Sequence, residues 1–166
     1  SPRINLQFQY PYIFKSAFGS DIGFELFKKD SQWVNINARI GILYELSAKQ
    51  SGKIILQSLQ TNVTYVDTNA IKNSKQLPSI LDVSSVNIGV DYQYNSTNYR
   101  FNPRKGWDIL LQMSAGTKNI KRNNDILKLK NPSNPSVTFS SLYDSIQTKA
   151  YQFRVKTNIN YYYTIG

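Results

Sequence analysis

The chain has 166 residues, the length of one domain, and carries 20 Lys and Arg against 10 Asp and Glu, a net charge of +10. It contains no Cys and no His. Disulfide frameworks, thiolate or imidazole metal sites and the Ser-His-Asp and Cys-His catalytic sets are excluded at once. Hydrophobic residues make up 40%, and with 12 Tyr and 8 Phe the chain is too rich in aromatics for a disordered segment. No run approaches the ~20 apolar residues of a membrane-spanning helix. The first residue is Ser1 and no signal-peptide pattern follows, so the sequence reads as a mature protein or an excised piece.

Alternation of apolar and polar residues recurs along the chain, the signature of strands with one apolar face. The first run places Ile4, Leu6, Phe8, Tyr10, Tyr12 and Phe14 on one face. The second holds Ile22, Phe24 and Leu26, and the third Val34, Ile36, Ala38, Ile40, Ile42 and Tyr44. The fourth, over 53–66, is mixed, with Ile55, Leu59, Val63 and Tyr65 partly in phase. The fifth is Val86, Ile88, Val90, Tyr92 and Tyr94. The sixth is Trp107, Ile109, Leu111, Met113 and Ala115. The seventh is Tyr151, Phe153, Val155, Ile159, Tyr161 and Tyr163. No helical period of useful length appears. The fold expected is all-β, an antiparallel up-and-down arrangement of seven strands of roughly 9–13 residues, longer than the ~5–6 usual in soluble sheets. Connections fall at 15–19, 28–32, 47–52, 67–82, 96–106 and 117–140. The two long ones are the fourth and sixth, which a meander sends to the same side.

Alternation alone does not say what the apolar face meets. A soluble barrel turns it inward, and a membrane barrel turns it to lipid. Strand length favours the membrane: 11 residues at ~3.3 Å each, tilted by ~45°, rise ~25 Å, the height of an outer-membrane apolar band. Aromatics gather near strand ends, as an interfacial girdle requires: Tyr10, Tyr12 and Phe14, then Tyr92 and Tyr94, then Tyr161 and Tyr163. Charged residues are only 18%, and the polar alternates are mostly Asn, Gln, Ser and Gly, which suits a crowded or wet lumen better than a soluble surface. Seven strands would leave two edges unpaired in lipid, so the expectation is a transmembrane β-barrel domain over 1–166 that forms part of a larger barrel.

The segment from Asn95 to Trp107 resembles a turn of the outer-membrane barrel-assembly superfamily, the bacterial surface antigens that include BamA-like and TamA-like proteins. Phe101, Pro103 and Gly106 stand where that turn has an aromatic, a Pro and a Gly opening the next strand. Pro fixes φ and Gly permits positive φ, which together reverse the chain tightly. Tyr10-Pro11-Tyr12-Ile13-Phe14 followed by Phe18-Gly19 resembles the family's opening hairpin, and the likeness covers most of 4–116. The family's periplasmic POTRA domains have no counterpart here, and the Arg-Gly pair of its lumen loop is absent. The resemblance implies an outer-membrane location in a Gram-negative bacterium. It also implies a non-enzymatic role in folding and inserting other outer-membrane proteins. Partners would then be lipid and lipopolysaccharide, client proteins, accessory subunits and the remaining strands of the barrel. It implies no gating residues for this chain.

Lys118, Lys121, Arg122, Lys128 and Lys130 form a basic stretch in the sixth connection, where a solvated loop is the expected reading and contact with anionic lipid headgroups the functional alternative. Nucleic acid is not expected, because the charges are spread along the chain and the aromatics lie in the apolar phase. Asp21 and Glu25 share a strand face ~13 Å apart, too far for paired-carboxylate catalysis, so lumen ion pairs with Arg39 or Arg154 are the expected use. No cofactor or metal is expected. The other open readings are a soluble or periplasmic β-domain binding lipid or glycan, and a passive porin-like channel.

Overall fold

The computed structural model describes residues 1–99, 101–131 and 134–164. Seven strands form one antiparallel meander: β1 (Arg3–Tyr10), β2 (Phe18–Lys29), β3 (Trp33–Ser47), β4 (Gln50–Val63), β5 (Asp82–Asn95), β6 (Gly106–Lys121) and β9 (Lys149–Tyr162). A separate short hairpin, β7 (Lys130–Asn131) and β8 (Asn134–Thr138), lies in the last connection. β1 and β9 are the two edges, and no ladder joins them, so the sheet is not a closed barrel.

Seven strands in one meander agree with the alternation, and most run longer than expected, up to 16 residues in β6. Three local features differ. β1 stops at Tyr10, because Pro11 has no N–H to offer the ladder. Tyr12 and Phe14 therefore leave the strand and take left-handed φ of 59° and 52° around a 3₁₀ turn, Ile13–Lys15. In β4 the phase is the opposite of the one expected. Ile54 pairs with Ile42 and Val90, and Leu56 with Ile40 and Ile88, on the apolar face, which puts Ile55 and Leu59 on the polar one. Tyr65 lies past the end of the strand. Tyr163 likewise lies just past β9.

The fourth and sixth connections are not plain loops. They meet at one end of the sheet and fold together. Short helix α1 (Thr68–Ser74) is capped by the Asp67 carboxylate, which accepts from the N–H groups of Asn69 and Ala70. Short helix α2 (Asn124–Leu127) is capped by Asn123. Ile71, Ile126, Phe139 and Tyr143 bury against one another there. They are the only buried hydrophobic side chains among the described residues, so the hydrophobic core sits in this cap and none of it in the sheet.

Asp82 ties the cap to the sheet: its carboxylate accepts from the Val63 N–H at 2.6 Å and from the Asn123 amide at 2.7 Å. The Tyr143 hydroxyl accepts from the Asn123 N–H at 3.1 Å. Burial raises the Tyr143 pKa above its ordinary 10.0, with the nearby Asp82 adding to the rise against the Asn123 hydrogen bond and Arg122. The folded cap thus favours the neutral phenol. That contribution is present below pH ~10 and is lost as pH rises through the raised value. Alkaline titration followed by tyrosine fluorescence should show the cap loosening above pH ~10, and Tyr143→Phe should remove that step.

Candidate functional site

Register sorts every strand residue onto one of two faces. One row across the sheet reads Phe8–Ile22–Ile40–Leu56–Ile88–Ala115–Phe153, and the next Tyr10–Ser20–Ile42–Ile54–Val90–Met113–Val155. The intervening polar row reads Gln9–Asp21–Gly41–Ile55–Gly89–Ser114–Arg154. The solvent relation of the two faces is the reverse of a soluble sheet. Ile22, Ile40, Leu56 and Ile88 on the apolar face are exposed, whereas Gly19, Asp21, Gly23 and Ser85 on the polar face are buried.

The middle of the polar face is buried or half-buried because the sheet curls around it, while the polar residues of the edge strand β1 and Arg154 on β9 stay exposed. A hollow of about 540 Å³ is lined by residues of all seven strands, from Arg3 on β1 to Gln152 on β9. Within the curl, Gln152 of β9 donates to the hydroxyl of Ser85 on β5 at 3.5 Å, across the intervening β6. Cross-strand pairs knit the wall: Gln57 donates to Asn37 at 2.9 Å, Thr61 to Asn35 at 2.6 Å and Gln112 to Asp91 at 3.0 Å. The Asp21 side chain is 4% exposed and bonds the Lys53 ammonium, with Arg39 3.8 Å away. Gly23 makes this possible, since a Cβ there would lie 2.6 Å from Arg39 Nε. Arg39 is thus within ion-pair range of an acid on the polar face. Arg154 lines a second polar hollow with Asp91 and Lys156. Among the described residues no group of three or more ligating side chains could hold a metal ion.

The aromatics expected at strand ends share one end of the sheet, the end of the short turns. Tyr92, Tyr94 and Tyr161 sit on the apolar face there, joined by Tyr44 and by Trp107, whose ring lies 4.4 Å from that of Tyr161. Tyr10 is one row further in, and Tyr12, Phe14 and Tyr163 lie in the segments beyond the strands. Alternation places Tyr44 and Trp107 on the apolar face, and register adds them to the girdle.

The turn from Ser96 to Lys105 closes through Asn98, whose side-chain oxygen accepts from the N–H groups of Arg104 and Lys105, both at 3.0 Å. Gly106 has φ +117°, and a Cβ there would run into the Ser96 carbonyl. Gly106 therefore holds a conformation that a side chain would strain, while Phe101 is 96% exposed and packs on nothing in the turn. Gly106→Ala should cost about 1–2 kcal/mol, read as a lower urea midpoint, the turn relaxing part of the strain.

The expected basic patch is not one surface. Lys118 belongs to β6 and lines the polar hollow, because β6 runs on to Lys121. Arg122 pairs with Asp144 at 3.4 Å, and Lys128 and Lys130 follow α2 in the cap. No protein-family model, curated protein or solved structure matches the chain.

Proposed function

We propose that the chain forms part of the wall of a transmembrane β-barrel, with the apolar face against lipid and the polar face lining the lumen. One observation carries this reading: the sheet has an extended apolar face that the chain itself leaves uncovered. The accessible surface is 11985 Å². A compact protein of 19.0 kDa exposes roughly 8,400 Å². Soluble monomers rarely leave an apolar patch beyond a few hundred Å². On β5 the apolar run from Val86 to Tyr94, exposed from Val86 to Val90 and half-buried at the two tyrosines, is ~26 Å long at ~3.3 Å per residue and rises ~19 Å at a tilt of ~45°, most of the height of a hydrocarbon band. The edges β1 and β9 cannot stay unpaired in lipid, so further strands complete the ring.

The setting proposed is a Gram-negative outer membrane. The role proposed is non-catalytic: helping other outer-membrane proteins to fold and insert by offering a free strand edge for pairing. The likeness of the Gly106 turn to that of the barrel-assembly superfamily supports that role, with the pairing edge at a seam of the completed barrel, and the polar hollow equally suits a passive channel. Detergent dependence tests the membrane reading. The chain should require detergent or lipid, and its tryptophan fluorescence should be quenched by brominated acyl chains. A folded, soluble monomer in plain buffer would overturn it in favour of a soluble β-domain.

A further inference from the structure

The two ends of the sheet differ in charge. The short-turn end carries Lys15, Lys49, Arg104 and Lys105 in its connections, all exposed, and no acid among the described residues there. The cap end holds five cations against four acids among its described connecting residues, and one of those pairs, Arg122 with Asp144, is already made. The acids nearest the short-turn end, Glu45 and Asp108, sit on the polar face and are engaged by the Tyr12 hydroxyl and the Asn95 amide. The four cations therefore face outward without an acid beside them. Phe14 and Phe101, in two of the same turns, are each 96% exposed. An aromatic ring at a turn tip beside uncompensated Lys and Arg meets both halves of a lipid interface: the cation takes the phosphate, and the ring takes the boundary beneath it.

We infer that the short-turn end docks on anionic phospholipid headgroups. This inference rests on the barrel-wall reading for its orientation. It sets the lipid-phosphate contact at the end of the sheet opposite the sixth connection, where the sequence offered such a contact as the alternative to a solvated loop. The aromatic rim of Tyr44, Trp107 and Tyr161 lies just inside these turns, so charge, ring and apolar band follow one another in the order a leaflet presents them.

The test is flotation of the whole chain with phosphatidylcholine vesicles, with and without phosphatidylglycerol. Binding should be at least about tenfold tighter with phosphatidylglycerol at 50 mM salt, and the difference should collapse at 0.5 M. Lys15→Glu/Arg104→Glu/Lys105→Glu should lower affinity for the anionic vesicles by about a hundredfold or more. Lys72→Glu/Lys75→Glu at the cap end should stay within about twofold of the parent. Equal binding of the parent to both vesicles overturns the inference, and so does an equal loss in the two variants. The parent comparison needs no substitution, so a variant that fails to fold leaves the test intact. Tryptophan quenching by brominated acyl chains in the same samples separates the two readings. Insertion without phosphatidylglycerol dependence overturns the docking face and leaves the wall. Dependence without insertion overturns the wall and leaves the docking face.

Discussion

Asp21→Ala should destabilise the sheet by about 3 kcal/mol, seen as a lower urea midpoint in micelles. The carboxylate is nearly inaccessible and sits between Lys53 and Arg39, whose side chains are 23% and 37% exposed. Removing it leaves two cations facing each other inside the curl with no counter-charge. Adding Lys53→Met should recover more than half of the loss, because the second change removes one stranded ammonium rather than a favourable contact. The exposed pair makes the contrast. Arg3 and Glu25 lie 2.5 Å apart, but Arg3 is 60% exposed, so Glu25→Ala should cost less than about 1 kcal/mol. Equal losses at Asp21 and Glu25 would show that the curl does not shield the interior of the polar face.

Ile88→Arg should cost about 2–4 kcal/mol in vesicles, measured by reversible urea unfolding. Ile88 is 57% exposed in the isolated sheet and sits in the middle apolar row. On a surface that meets water such a change is worth about 0.5 kcal/mol at most. The depth profile adds a second check. Ser84 has the same orientation on β5 but lies in a row that ends in Asn119 and Lys149. Ser84→Arg should therefore cost only about 0–1 kcal/mol. A flat profile, with Ile88 as tolerant as Ser84, would mean that water covers the apolar face.

Much of the sheet is legible in the sequence because the side-chain period of a strand is fixed at two, and six of the seven runs keep it cleanly. The fourth run hides its phase. Ile54, Ile55 and Leu56 are consecutive, so either parity reads as apolar, and only the neighbours Ile42 and Val90 decide between them. The cap escapes a periodicity argument because α1 has seven residues and α2 four, too short to show a repeat. Their capping residues, Asp67 and Asn123, were the available signal. The Asp21 cluster joins residues 32 apart in sequence, and the basic end joins three separate turns. Both depend on register and direction, which composition does not carry. Lys118 belongs to the strand for a related reason: polar residues such as Asn119 and Lys121 continue β6 beyond the point where apolar alternation ends.

The directions of the strands constrain how the wall can be completed. In an antiparallel meander of seven, the first and last strands point the same way, so the free edges of β1 and β9 present backbone groups of equal polarity. Copies of this sheet set side by side, all with the cap on one side of the membrane, would meet in parallel seams with slanted, weaker hydrogen bonds. A single strand, or any odd number, running against both edges closes the ring with antiparallel pairs throughout. If the sheet is the barrel wall proposed above, a piece that closes it with antiparallel pairs alone has first and last strands that descend where β1 and β9 ascend, an arrangement a copy held the same way up does not offer.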